Sequence, residues 1–140
     1  MSTSRVLALL AFVALHATAE AADPVVVVHP STRVLEVSKA ELSKIFLKRL
    51  RTWADGSLAQ PIDQVPGPVR EEFTQWVHGR SVVTIEVYWK RMIFSGRAVP
   101  PAEAADDAAV LDFVRRTPGA VGYVSGSAQL DGVRKLDLRE

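Results

Sequence analysis

An α/β layered domain is what this sequence predicts, and three observations lead there. A run of four valines bracketed by prolines, "PVVVVHP" at 24–30, is short enough for a strand and apolar on both faces. That pattern suits a central strand covered by helices on either side. Segments with a 3.6-residue apolar period follow, each with its own start and stop residues. Short β-branched stretches separate them, so helices and strands intermingle along one chain.

The first 21 residues are set apart from the fold. Arg5 supplies a positive n-region, Val6 to Leu15 form an apolar run, and Ala19-Glu20-Ala21 is an A-x-A cleavage pattern. The run is too short to span a bilayer, which takes about 20 apolar residues. The expectation is a cleaved signal peptide over 1–21, an exported protein, and a single domain over 22–140. The whole chain holds 17 basic and 16 acidic residues. This balance argues against a nucleic-acid partner recruited by bulk charge. There is no cysteine, so the exported fold rests on its core without disulfides.

The first strand is followed by "SKAELSKIFL", where Ser38 can N-cap and Glu41 completes a capping box. Leu42, Ile45 and Phe46 share one face of that helix. Its end is expected in the basic stretch "KRLR", whose cations suit the negative end of a helix dipole. "TWADGS" is a turn by its Asp-Gly pair, and "LAQPIDQV" a short strand. Val69, Phe73, Trp76 and Val77 then line an amphipathic helix stopped by Gly79. Ser81 starts another, with Ile85, Tyr88, Trp89, Met92 and Ile93 as its buried stripe. "AVPPAE" reads as a loop. Asp106 or Asp107 caps a helix carrying Val110, Leu111 and Val114, which Pro118-Gly119 ends. "AVGYV" and "VRKLDL" are the closing strands. The expected order is β-α-β-α-α-α-β-β.

Three stretches, taken in order, carry a family resemblance: "SKAELSKIFLKRLRTWADGS", "YWKRMIFSGRAVPP" and "VRRTPGAVGYVS". The chain resembles the phosphate-binding periplasmic proteins of ABC transporters, and more narrowly their short single-lobe members. The resemblance implies one layered α/β lobe of a type II periplasmic binding protein, with a central mixed sheet flanked by helices. Its implied ligand is phosphate or a similar oxyanion, and its implied partner the membrane component of a transporter or a second copy of itself. Complete members close two lobes over the anion. The anion-binding helix start of their N-terminal lobe has no counterpart here, so enclosed capture is not expected.

In complete members, the loop matching Asp63 to Arg70 is rich in Gly, Ser and Thr and wraps the phosphate. Here it reads "DQVPGPVR". Pro66 and Pro68 remove two N–H donors. What remains as candidate anion-binding residues is Asp63, Gly67, Val69 and Arg70: backbone N–H groups at a helix start and one guanidinium. The same residues suit a plain helix start, with Gly67 as N-cap, Pro68 at N1, and Glu71 and Glu72 facing the positive dipole end. Those two carboxylates would oppose an incoming anion. A weak or degenerate oxyanion site is therefore expected, with a ligand-free interaction module, docking on an envelope partner or self-associating, as the alternative.

The remaining candidates favour structural duty. His16, His29 and His78 do not converge with other ligands into a metal site. His78 lies where a cation would complement a helix C-terminus. Trp76 and Trp89 fall on apolar faces, and Trp53, in a polar turn, is the tryptophan expected to be exposed. Lys44, Lys48, Arg49 and Arg51 read as a solvated helix end or an acidic-partner dock. Arg97 has salt-bridge duty as its default and an anion as the alternative if the family's cleft is kept. Tyr123 packs at a strand end, and Ser125 and Ser127 have no histidine nearby in the chain. No catalytic residue and no cofactor are expected.

Overall fold

The computed structural model describes residues 23–140, so the expected signal segment lies outside the described residues. The elements, in order, are β1 (Val25–Val28), β2 (Glu36–Ser38), α1 (Lys39–Phe46), β3 (Gln60–Gln64), α2 (Pro68–His78), α3 (Val82–Phe94), β4 (Ala102–Ala104), α4 (Asp107–Arg116), β5 (Ala120–Val124), β6 (Arg134–Lys135) and β7 (Asp137–Arg139). A five-stranded sheet runs β4-β3-β5-β1-β6, and β2 pairs with β7 in a two-stranded one. β3 is parallel to both β4 and β5, whereas β1 is antiparallel to β5 and β6. The sheet is mixed, with helices on both faces.

The alternation of side chains along a strand explains how β1 serves two cores at once. Val26 and Val28 enter a cluster with Leu42, Ile45 and Phe46 of α1 and Phe73 and Val77 of α2. Val27 points the other way, joining Ile62 and the α4 residues Val110, Leu111 and Val114. All three valines are buried.

The caps fall where their residue chemistry places them. The Ser38 hydroxyl accepts from Glu41 N–H while the Glu41 carboxylate accepts from Ser38 N–H, closing the capping box. Gly67 and Pro68 open α2, and Gly79 ends it in a left-handed conformation. Ser81 caps α3, and the Asp106 carboxylate accepts from Ala109 N–H at the start of α4. No helix among the described residues is long and apolar enough to cross a membrane.

Several expectations are corrected. α1 stops at Phe46, before the basic stretch, because Lys48 takes a left-handed φ of 56°. Two strands escape the sequence pattern: β2, and β4, which overlaps the end of the supposed loop "AVPPAE". "VRKLDL" is not one strand but two in different sheets, divided at the buried Leu136. Trp53 is 3% exposed, since its indole N–H donates to the Gly119 carbonyl across the fold. The α3 stripe is narrower than expected: Ile85 and Trp89 are buried, but Ile93 is 51% exposed.

Candidate functional site

The parallel strands β4, β3 and β5 point their carboxyl ends at one edge of the sheet, and the N-termini of α2 and α4 converge there. In open α/β sheets this is where ligands sit. Asp63 lies at the end of β3, Gly67 caps α2, and Val69 and Arg70 occupy its first turn. The first α2 backbone bond runs from Glu71 N–H to the Gly67 carbonyl, so the Val69 and Arg70 N–H groups precede the helical ladder. The sequence's four candidates thus share one locale.

What surrounds them decides the chemistry. The Arg70 side chain turns inward and is buried. One terminal nitrogen donates to Glu103 Oε1 at 2.7 Å and to the Gln64 carbonyl at 3.1 Å, and its Nε lies 3.9 Å from Asp63 Oδ1. Burial works against its charge, but the Asp63 and Glu103 carboxylates outweigh that and hold the guanidinium's pKa above its usual value. Asp63 in turn accepts from the Tyr123 hydroxyl and from Gln64 N–H. Burial nonetheless leaves its pKa above the usual carboxylate range, against the hydrogen bond from Tyr123 and the charge of Arg70. Burial and the neighbouring Asp63 carboxylate push the Tyr123 phenol up, so it remains a donor at neutral pH. Its ring stacks on Phe73 at a centroid distance of 3.8 Å and an interplanar angle of 7°.

The network continues toward α4. Gln64 Nε2 donates to Asp107 Oδ1 and to the Tyr123 carbonyl, both at 2.9 Å. Asp107 also accepts from Ser125 N–H at 3.1 Å and from the Ser125 hydroxyl at 2.6 Å. Asp63 and Glu103 therefore face the Arg70 guanidinium, while Asp107 is held on the Gln64 side chain and on Ser125. The strongest bidentate donor of this edge is thus already engaged by acceptors of the protein itself.

Sequence reasoning missed Glu103, Gln64, Asp107 and the polar role of Tyr123. Glu103 sat in a presumed loop. A signal for Tyr123 was present, since a phenol inside an apolar strand needs a partner for its hydroxyl. The Ser125 hydroxyl donates to the Asp107 carboxylate, and the Ser127 hydroxyl lies 3.3 Å from that of Ser125. His78 is neutral rather than cationic: burial, then Arg80, lowers its pKa to about 4, and its Nδ1 is 2.7 Å from the Ser43 hydroxyl. Among the described residues no group of three or more His, Asp or Glu side chains is arranged to hold a metal ion.

Solved structures of known proteins share this architecture. A Clostridium perfringens protein described as a phosphate ABC transporter substrate-binding protein, solved with phosphate bound, matches at a TM-score of 0.65 and 15% identity, over 83% of this chain and 44% of its own. An ABC-type phosphate transport receptor from Vibrio cholerae matches at a TM-score of 0.63 and 14% identity, over 83% of this chain and 46% of its own. The chain shares the fold of part of each of these proteins. PstS from Borrelia burgdorferi, at a TM-score of 0.58 and 10% identity over 84% of this chain and 47% of its own, repeats it. The chain spans less than half the length of each of these proteins. No family model matches the sequence. No curated protein matches it either.

Proposed function

We propose that this chain is an exported solute-binding-type protein, built as a single lobe of the phosphate-binding design, whose oxyanion site at Asp63, Gly67, Val69 and Arg70 is degenerate and weak. The observation that carries this reading is the engagement of Arg70 by Glu103, Asp63 and the Gln64 carbonyl. An incoming phosphate meets only the N–H groups of the first α2 turn, opposed by fixed negative charge. The binding proteins that share the fold support phosphate as nominal ligand and a transporter's membrane component as nominal partner. The apolar stretch ahead of Ala19-Glu20-Ala21 supports export to the periplasm.

Calorimetric titration with inorganic phosphate tests the reading. Weak binding, on the order of millimolar, is expected for the native protein, corresponding to about 4 kcal/mol. Glu103→Gln removes one opposing charge and loosens Arg70, so it should tighten binding. Submicromolar affinity in the native protein would overturn the proposal.

A second reading, a ligand-free interaction module, has its own support. Val83, Val87 and Phe94, at 68%, 44% and 90% exposure, occupy one face of α3. Melting curves insensitive to phosphate in both the native protein and Glu103→Gln, together with self-association in light scattering, would favour it.

A further inference from the structure

Two cavities adjoin on the side of the molecule where α1 gives way to the Trp53 turn. One, of about 310 Å³, is lined by Lys48, Arg51, Leu58, Pro101 and Phe113 among others. The other, of about 290 Å³, is lined by Lys48, Arg51, Ile93, Arg97 and Val99 among others. Lys48 and Arg51 belong to both and form the ridge between them. Neither these two cations nor Arg97 has a carboxylate within ion-pair distance among the described residues; every ion pair there uses other basic side chains. Among the described residues, Leu58, Ile93 and Val99 are three of the eight large apolar side chains left exposed, at 58%, 51% and 63%. The groove thus puts unpaired positive charge between two apolar hollows.

Lys48 is held there at a cost. It sits just past the end of α1 with φ 56°, a conformation that glycine adopts without strain and lysine does not. The chain bends back over it, with Arg49 and Leu50 N–H both donating to the Lys44 carbonyl. The residue is only partly buried, and what burial there is, followed by repulsion from Arg51, lowers its pKa. A cation placed by a strained backbone beside a like charge, with no internal counter-ion, lacks an anionic partner.

We propose that the groove around Lys48, Arg51 and Arg97 binds a free amphiphilic anion, one carboxylate head on a medium-length alkyl chain. The head sits on the Lys48–Arg51 ridge and is reached by Arg97, and the tail lies in a hollow along Leu58 and Phe113 or along Ile93 and Val99. Hollows of this size suit small ligands, and the positive charge between them favours an anionic head. This site is separate from the Asp63–Arg70 edge and shares no residue with it.

The test uses the full chain and the fluorescent probe 8-anilinonaphthalene-1-sulfonate, displaced by decanoate. The expected result is bright probe binding, displaced by decanoate about tenfold more effectively than by decanol, and not by inorganic phosphate at the same concentration. Lys48→Gly removes both the cation and the strain, so it should raise the melting temperature while weakening decanoate binding about tenfold. Arg97→Gln should weaken binding without the rise in melting temperature. Decanol matching decanoate, phosphate displacing the probe equally well, sedimentation of the protein with phosphatidylglycerol vesicles, or undiminished binding by Lys48→Gly would each overturn the proposal.

Discussion

His78 makes the stability of this protein fall as the solution is acidified, well before most carboxylates titrate. Its imidazole is at the end of α2, within hydrogen-bond distance of the Ser43 hydroxyl on α1, edge-on to the Phe73 ring, and near the cation of Arg80. Its folded pKa of about 4 lies below the ordinary value of 6.5. Between those two values the unfolded chain binds the proton and the folded chain does not, so stability rises with pH across the window and is lost on the way down. At pH 5 the unfolded imidazole is almost fully protonated and the folded one about a tenth so. The difference destabilises the fold by about 2 kcal/mol relative to pH 7. Urea unfolding at pH 7 and pH 5, on the native chain and on His78→Gln, measures it. The native chain should lose about 2 kcal/mol more than the variant over that interval, because the amide does not titrate. Equal losses in the two proteins, or a smaller loss in the native chain, would refute the assignment of a neutral, buried imidazole.

Two further substitutions probe the site and its scaffold. Arg70→Met leaves the buried Asp63 without its counter-charge and should cost about 3–5 kcal/mol in urea unfolding, with much of that recovered in Arg70→Met combined with Asp63→Asn. Gly119→Ala would place a Cβ 2.1 Å from the Leu58 carbonyl oxygen at φ +81°, and should cost upward of about 2 kcal/mol by thermal denaturation. Gly56→Ala, at φ +86° with open space around it, should cost only about 1 kcal/mol.

Features set by neighbours in the chain were legible in the sequence. The capping box at Ser38 and Glu41, the Gly67-Pro68 opening of α2, and the two-faced burial of β1 all follow from local residue types and their period. The strands β2 and β4 were not legible, because three residues carry no period and their pairing is decided by partners elsewhere. The candidate site shows the same division. Asp63, Gly67, Val69 and Arg70 lie within one turn and announce themselves together. Glu103 is 33 positions from Arg70, and Tyr123 is 60 from Asp63. Nothing local says that these side chains meet, so the donor count at the turn was visible and the filling of the site from within was not. Trp53 failed for a similar reason: a tryptophan in a polar turn looks exposed until the Gly119 carbonyl, 66 positions away, is brought over it.

The place of β1 in the sheet constrains when the protein can assume its shape. Both neighbours of Val25–Val28 come from the last quarter of the chain, β5 on one side and β6 on the other. The same is true of β2, whose only strand partner among the described residues is β7. A growing polypeptide emerging from the ribosome therefore carries its valine run unpaired until Ala120–Val124 has been synthesised. Such late closure leaves the nascent chain without its central sheet until most of its length has been made.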